Sequence, residues 1–454
     1  MERRNILSIL AVLIKIKNVY RDERKYMTPY EEGKQLYRNN DFINARLKFE
    51  EAINRSYTPN KYHYNMYGWT LRKLDESQYF LQIISPLLEQ KIFNVNEFLD
   101  LLVWCQYDVY IKKYKEDCGY DILEKADFIL SNCQQLDLNN CIKNPFVLTI
   151  FKIVKVLKKR ASINYKKIVE LLEKIDPMEL PSDDEFEFED CNHNKRETSS
   201  KREFYYQNIS SAYEKTMQYK KCIDVCEKAL VEDMKLHFRN KLWFTARLHY
   251  CKCRISTDFE KDINEYKKII ERHRFWYMYH KLSALYWSKN DIDNALYYSC
   301  LSFDIIDEMK KKVNVMSDIG DLLIAKGDES NAVKFFQCAL YYRTINGWGI
   351  SRELEYQKIL NNIDVTKKPN LIELKKISLM NAISLNNNLN VGIIEQTDKN
   401  KKYGFILSLN LNIDIYYKKE HILNSRNYLP ENTFVTFTVY DNHGKPAAKN
   451  IKII

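Results

Sequence analysis

Glycine and proline are scarce in this chain, at ten and nine of 454 residues. So few glycines leave little material for a loop that wraps phosphate, and no Gly-rich loop ending in Lys-Ser or Lys-Thr occurs. His-Glu-x-x-His and Gly-x-Ser-x-Gly are also missing, which removes two common hydrolase frameworks. No apolar run approaches the ~20 residues that a membrane span needs. The eleven cysteines follow no disulfide or zinc spacing. Cys222 and Cys226 stand one helical turn apart, Cys251 and Cys253 are separated by one residue, and no CxxC pair recurs. Buried thiols in a reducing cytoplasm are the expectation, with no metal, no cofactor and no membrane partner.

What is present is core material and charge. Hydrophobic residues make up 45% and charged residues 29%, the balance of a globular chain long enough for two or three domains. The formal charge of +10 permits a nucleic-acid partner without requiring one. Near the start, Ile6 to Ile14 is apolar after Arg3-Arg4, but Lys15 and Lys17 follow at once and no small-residue cleavage site appears. A first helix packing on its neighbour is expected there.

Helical periodicity with short polar breaks fills the chain to about Leu360. Gly33, Ala45, Phe49 and Ala52, with Pro59 beyond, recur as Gly320, Ala332, Phe336 and Ala339 at the same separations. Small residues at such points let the two helices of a hairpin touch, and the Phe fills the gap beside them. Weaker copies are Tyr213, Cys222, Cys226 and Ala229; Tyr286, Ala295 and Leu296; and Leu242–Arg254 with Ile263–Ile270. Asn290-Asp291 and Gly327-Asp328 mark turns within hairpins. Residues 62–175 are helical in pattern, as in Phe98–Tyr114 and Phe146–Lys159, but lack the small residues. This spacing resembles the tetratricopeptide repeat, which implies an α-solenoid of helical hairpins and a protein partner held in its groove. Lys155–Arg160 and Lys310-Lys311-Lys312 read as solvated helix faces, with an extended RNA path as the sharper alternative.

Between Asp176 and Glu203 the phase is lost. Pro177, Pro181 and the acidic run Asp183–Asp190 suit a mobile loop or flexible linker inside the array, or a decoy that competes with nucleic acid for a basic domain. After Leu360, Asn361-Asn362 and Lys367-Lys368-Pro369 suit a second linker holding one short helix. From Val391 the period becomes that of strands: Val391–Glu395, Tyr403–Leu409, Ile413–Tyr417, Phe434–Tyr440 and Ala447–Ile453. Five short strands fit a small barrel of the oligonucleotide-binding type. Within it, Lys401-Lys402-Tyr403-Gly404-Phe405-Ile406 places two aromatics at i and i+2 on one strand face beside a pair of cations. Such a face stacks bases and draws phosphates.

This segment is similar to bacterial cold-shock domains. Gly392 matches the opening-strand glycine, Lys401–Ile406 the first ribonucleoprotein motif, and Phe434–Phe437 with Gly444–Ile451 the closing strands. The resemblance implies binding of single-stranded RNA or DNA through Tyr403, Phe405 and Tyr416, with Lys401, Lys402, Lys418 and Lys419 on phosphates. Departures weaken it: Asp414 replaces a phenylalanine, Gln396 a tryptophan and Lys402 a glycine. From Ala382 to Ile454, nine Lys or Arg face six Asp or Glu, a modest field.

The expected organisation is a mostly α chain: an N-terminal array over residues 1–180, an acidic linker over 181–202, and a second array over 203–365. A linker over 366–385 and an all-β five-stranded barrel over 386–454 complete it. The expected role is a non-enzymatic adaptor joining a protein partner to single-stranded nucleic acid. One alternative is a pure scaffold whose barrel is a docking module. Another is a ribonuclease, because Arg274 and His280 loosely resemble the Arg-x(4–6)-His spacing of HEPN ribonucleases, in which such a pair handles proton and phosphate.

Overall fold

The computed structural model describes residues 27–115, 119–132, 144–160, 163–189, 195–384, 390–397, 401–423 and 429–453. The apolar run Ile6–Ile14 lies outside them. The chain divides into two compact units, Met1–Asn208 and Ile209–Ile454.

The first unit opens with helices α1 (Pro29–Arg38), α2 (Phe42–Arg55), α3 (Lys61–Lys73) and α4 (Ser77–Glu89). Local chemistry sets their ends. Thr28 and Glu31 form a reciprocal capping box, with Pro29 in the first helical position. Asn40 takes a left-handed turn (φ 60°). Asp41 then caps α2 by accepting from Asn44 N at 3.2 Å and Asn44 Nδ2 at 2.7 Å. The predicted small-residue contact follows: a Cβ on Gly33 would lie 2.8 Å from Phe49 Cε1, inside any tolerable approach. Residues 62–175 use the same device where the sequence reading found none. A Cβ on Gly68 would meet Phe80 at 2.6 Å and Leu101 at 2.5 Å. Phe80 sits one helical turn earlier than the repeat spacing demands, which is why the spacing missed it.

Helices α5 (Leu99–Gln106), α6 (Ile122–Asn132), α7 (Pro145–Leu157) and α8 (Tyr165–Leu172) complete that unit, with a wide π-turn at Tyr107–Lys112. Within the stretch 181–202, expected as a linker or loop, two short strands form. Strand β1 (Glu187–Glu189) pairs antiparallel with β2 (Lys195–Glu197), setting Glu189 opposite Lys195 and Phe188 opposite Arg196. Opposite charges face each other only at Glu189–Lys195, while Glu187 stands opposite Glu197. Asp184 Oδ1 also accepts from Lys201 N at 2.8 Å. The division between units falls within α9 (Lys201–Lys215).

The second unit runs through α10 (Tyr219–Val231), α11 (Asn240–Ile255), α12 (Phe259–Arg272), α13 (Trp276–Ser288), α14 (Ile292–Asp304), α15 (Val313–Ala325), α16 (Glu329–Ile345), α17 (Arg352–Leu360) and α18 (Leu371–Ser384). The turn chemistry of α1–α2 recurs. Asp291 caps α14 through Asn294, and Asp328 caps α16 through Asn331, each after a residue of positive φ. A Cβ on Gly320 would stand 2.4 Å from Phe336 Cε1. Cys222, Cys226, Cys251 and Cys253 are buried in helices.

The helix expected near Leu371–Met380 is present and longer: α18 runs from Leu371 to Ser384 and packs at both ends instead of lying free in a 366–385 linker. Leu374, Ile377 and Ala382 join the helical core. Leu379 turns instead to Val391, Ile393, Leu409 and Phe434 of the barrel. The apolar residues of α18 are spread over two faces and join two clusters. Ser378 Oγ lies 3.2 Å from Cys300 O and from Asp304 Oδ2, both buried. Burial, opposed by Lys375, Ser378 and Lys312, pushes the Asp304 pKa up to about 8.

That carboxyl therefore holds its proton when folded, whereas in the unfolded chain it ionises near ~4. Its stabilisation is full below that value and declines as pH rises through about 8. Asp304→Asn keeps the shape and removes the titration. The melting-temperature advantage of the variant over wild type is expected to grow from acidic to mildly alkaline pH; a constant difference would refute the assignment.

The barrel strands are β3 (Asn390–Thr397), β4 (Tyr403–Ser408), β5 (Ile413–Lys418), β6 (Phe434–Asn442) and β7 (Lys445–Ile453). Their closed order is β3-β4-β5-β7-β6, with β3 pairing β6 and only β5–β7 parallel. This is the expected five-stranded barrel. Ile394, Ile406, Ile415, Tyr417, Val435, Phe437 and Ile451 fill it.

Candidate nucleic-acid interface

Alternation along β4 decides which side chains leave the barrel. Gly404, Ile406 and Ser408 point inward and are buried, so Tyr403, Phe405 and Leu407 face out. On β5, Ile415 and Tyr417 are inward and Asp414, Tyr416 and Lys418 outward. The register sets Tyr403 opposite Lys418, Phe405 opposite Tyr416 and Leu407 opposite Asp414. Gly404 has a packing cause beyond spacing its neighbours. A Cβ there would lie 2.7 Å from the Tyr417 ring that fills the barrel beneath it.

The three predicted rings therefore meet on the outer surface. Tyr403 and Tyr416 centroids are 5.6 Å apart, Phe405 and Tyr416 6.1 Å, and Tyr403 and Phe405 6.2 Å. Tyr403 is 37% exposed, while Phe405 and Tyr416 are half-buried. The cluster keeps open faces and is fixed by mutual edge and tilted contacts.

The predicted lysines divide. Lys401 Nζ lies 5.8 Å from the Tyr403 ring centroid, and Lys418 stands across the strand from Tyr403, 3.5 Å from Glu420. Lys402 and Lys419 are joined through their backbones, Lys419 N donating to Lys402 O at 2.9 Å. They fall one residue out of phase with the ring-bearing positions, so alternation sets them off the ring face.

Glu395 was missed. A register shift between Ile394 and Gln396 bulges β3 there. Desolvation, then the charge and hydrogen bond of Asp414, raise the Glu395 pKa above the ordinary carboxylate range. The ring ladder thus has cations at one end and a carboxylate pair at the other. Nothing in a one-letter string marks a bulge, and Glu395 carried no other signal. A smaller cluster, also missed, sits near β6 and β7: His421 and Tyr440 are 5.7 Å apart, with Lys449 Nζ 5.5 Å from the Tyr440 ring.

The alternative pair behaves differently. His280 Nε2 lies 2.6 Å from Asp318 Oδ2, while Arg274 hydrogen-bonds Tyr279, the residue before His280. Each thus has a partner of its own. Among the described residues no group of His, Cys, Asp and Glu is placed to hold a metal ion, and no helix is long and apolar enough to cross a membrane.

No family model matches the chain, and no curated protein matches it. Among solved structures it is similar to the crystal structure of the P58(IPK) TPR domain, at 12% identity and a TM-score of 0.24. The match covers 72% of this chain and 95% of that one. That likeness is too weak to carry an argument; the hairpins and the barrel stand on their own geometry.

Proposed function

We propose that this protein is a non-enzymatic adaptor whose helical hairpins hold a protein partner and whose cold-shock-like barrel binds single-stranded nucleic acid, RNA foremost. The observation that carries the reading is the outward cluster of Tyr403, Phe405 and Tyr416, with Lys401 and Lys418 beside it. Ring faces accept any unpaired base, while a duplex keeps its bases stacked on one another. The carboxylates at the far end of the ladder repel phosphate, which sets the strand's backbone toward the lysines. They also favour base amino groups over phosphates at that end.

Full-length protein titrated into labelled single-stranded RNA, single-stranded DNA and duplex should bind the single strands with micromolar affinity and the duplex more weakly. Two phosphate-facing lysines at about −0.7 each predict a log–log salt slope of about −1.4. A slope several times steeper would place binding on another, more basic surface, and no anisotropy change at high micromolar protein would remove the proposal.

A second reading has one observation behind it. The Glu395–Asp414 pair beside half-buried rings also suits a peptide carrying basic and apolar residues, which would make the barrel a protein-docking module. The adaptor reading assigns no cleavage to Arg274 and His280.

A further inference from the structure

The first unit holds a pocket of about 590 Å³ with an unusual lining. Lys115, Lys152, Lys155, Lys158 and Lys159 surround it, and Tyr114, Phe204 and Val156 supply its apolar wall. Lys152, Lys155 and Lys159 fall at i, i+3 and i+7 along α7 and its final turn, so one helix face carries all three. Among the described residues none of these three has a carboxylate partner. Lys152 Nζ lies 3.4 Å from Lys112 O, Lys155 Nζ 5.1 Å from the Phe204 ring centroid, and Lys158 Nζ 2.8 Å from Asn208 Oδ1.

Lys155 is exposed as a residue, yet desolvation at the pocket wall, followed by the nearby Lys152 charge, lowers its pKa. Like charges gathered at a concave surface repel one another, and an anion seated among them relieves that repulsion. The negative end of the α7 dipole, about half a charge, favours the lysines and is outweighed by Lys152, Lys155 and Lys159. The volume suits a small ligand, within the roughly 300–1,000 Å³ typical of such sites. An aromatic wall beside clustered ammonium groups matches a ligand that joins a flat ring to several phosphates.

We propose that this pocket binds a nucleoside polyphosphate, with its phosphates on Lys152, Lys155 and Lys159 and its base against Phe204 and Tyr114. The site is separate from the ring cluster on the barrel and does not depend on the adaptor reading. Calorimetry on the full-length protein would use ATP, inorganic triphosphate and adenosine as probes. ATP and triphosphate are expected to bind, ATP the more tightly, and adenosine at least about tenfold more weakly than ATP. Lys155→Glu with Lys159→Glu should weaken ATP by about tenfold or more, because it places negative charge where phosphate sits. Both side chains are exposed, so the fold should persist, which circular dichroism would verify. Tyr403→Ala with Phe405→Ala should leave ATP binding unchanged. No heat at millimolar ATP, an unchanged affinity in the lysine variant, or loss in the barrel variant would each overturn the proposal. Competition by a short RNA oligonucleotide that binds far more tightly than ATP would overturn the small-ligand assignment.

Discussion

Full-length protein carrying Tyr403→Ala and Phe405→Ala together is expected to lose single-strand binding while its helices melt as before. Removing one stacking ring costs about 1–3 kcal/mol, so removing two costs roughly 2–6 kcal/mol, or about thirtyfold to twenty-thousandfold in affinity. The measured loss should fall short of the sum of the two single variants, because the rings hold one another and each single change already disturbs its neighbour. Tyr403 contacts both Phe405 and Tyr416, and losing either neighbour frees the remaining ring to reorient. Neither ring belongs to the barrel interior, which Ile394, Ile406, Ile415 and Tyr417 fill, so stability should change little. If the double variant binds single strands like wild type yet no longer captures a protein partner, the docking-module reading replaces the nucleic-acid one.

Asp414→Lys separates the same two readings from the opposite side. Removing a carboxylate beside Glu395 and adding a cation should tighten single-strand binding and weaken a basic peptide. The Glu395 pKa should fall toward its ordinary value as its partner's charge and hydrogen bond disappear.

The ring cluster was legible because strand alternation is a rigid rule. Once Ile406 is inward, Tyr403 and Phe405 must be outward, and all five strands fall within a few residues of where the pattern set them. The hairpins were legible where turn and contact coincide. An Asp cap before Asn44, Asn294 or Asn331 fixes the start of the second helix, and Gly33 with Phe49 or Gly320 with Phe336 fixes how closely it lies. Legibility failed where tertiary contact decides. Gly68 meets Phe80 one turn off the repeat spacing. Glu189 of the acidic run faces Lys195 across an antiparallel strand pair. Helix α18 was expected, but not its packing, because it divides its apolar residues between two cores. The lysine pocket failed for another reason. Lys155–Arg160 looks like any solvated face until Tyr114 and Phe204 are brought from distant positions to wall it.

The Gly320–Phe336 contact carries the largest expected effect on stability. Phe336 is 1% exposed and lies against a helix backbone that only glycine leaves bare. Phe336→Ala should cost about 3–5 kcal/mol, which for a unit of this size lowers the melting temperature by roughly 6–20 °C. Gly320→Ala attacks the same contact from the other helix. Its new methyl would stand 2.4 Å from Phe336 Cε1, and the enclosed ring has little room to retreat, so a loss of about 1–3 kcal/mol is expected. Combining Gly320→Ala with Phe336→Leu should lose less than the two changes separately, because the smaller side chain opens the space that the methyl enters. Strict additivity in this cycle, or a neutral Gly320→Ala, would mean that the two helices are not held at glycine distance. The small-residue spacing would then have no packing role in this hairpin.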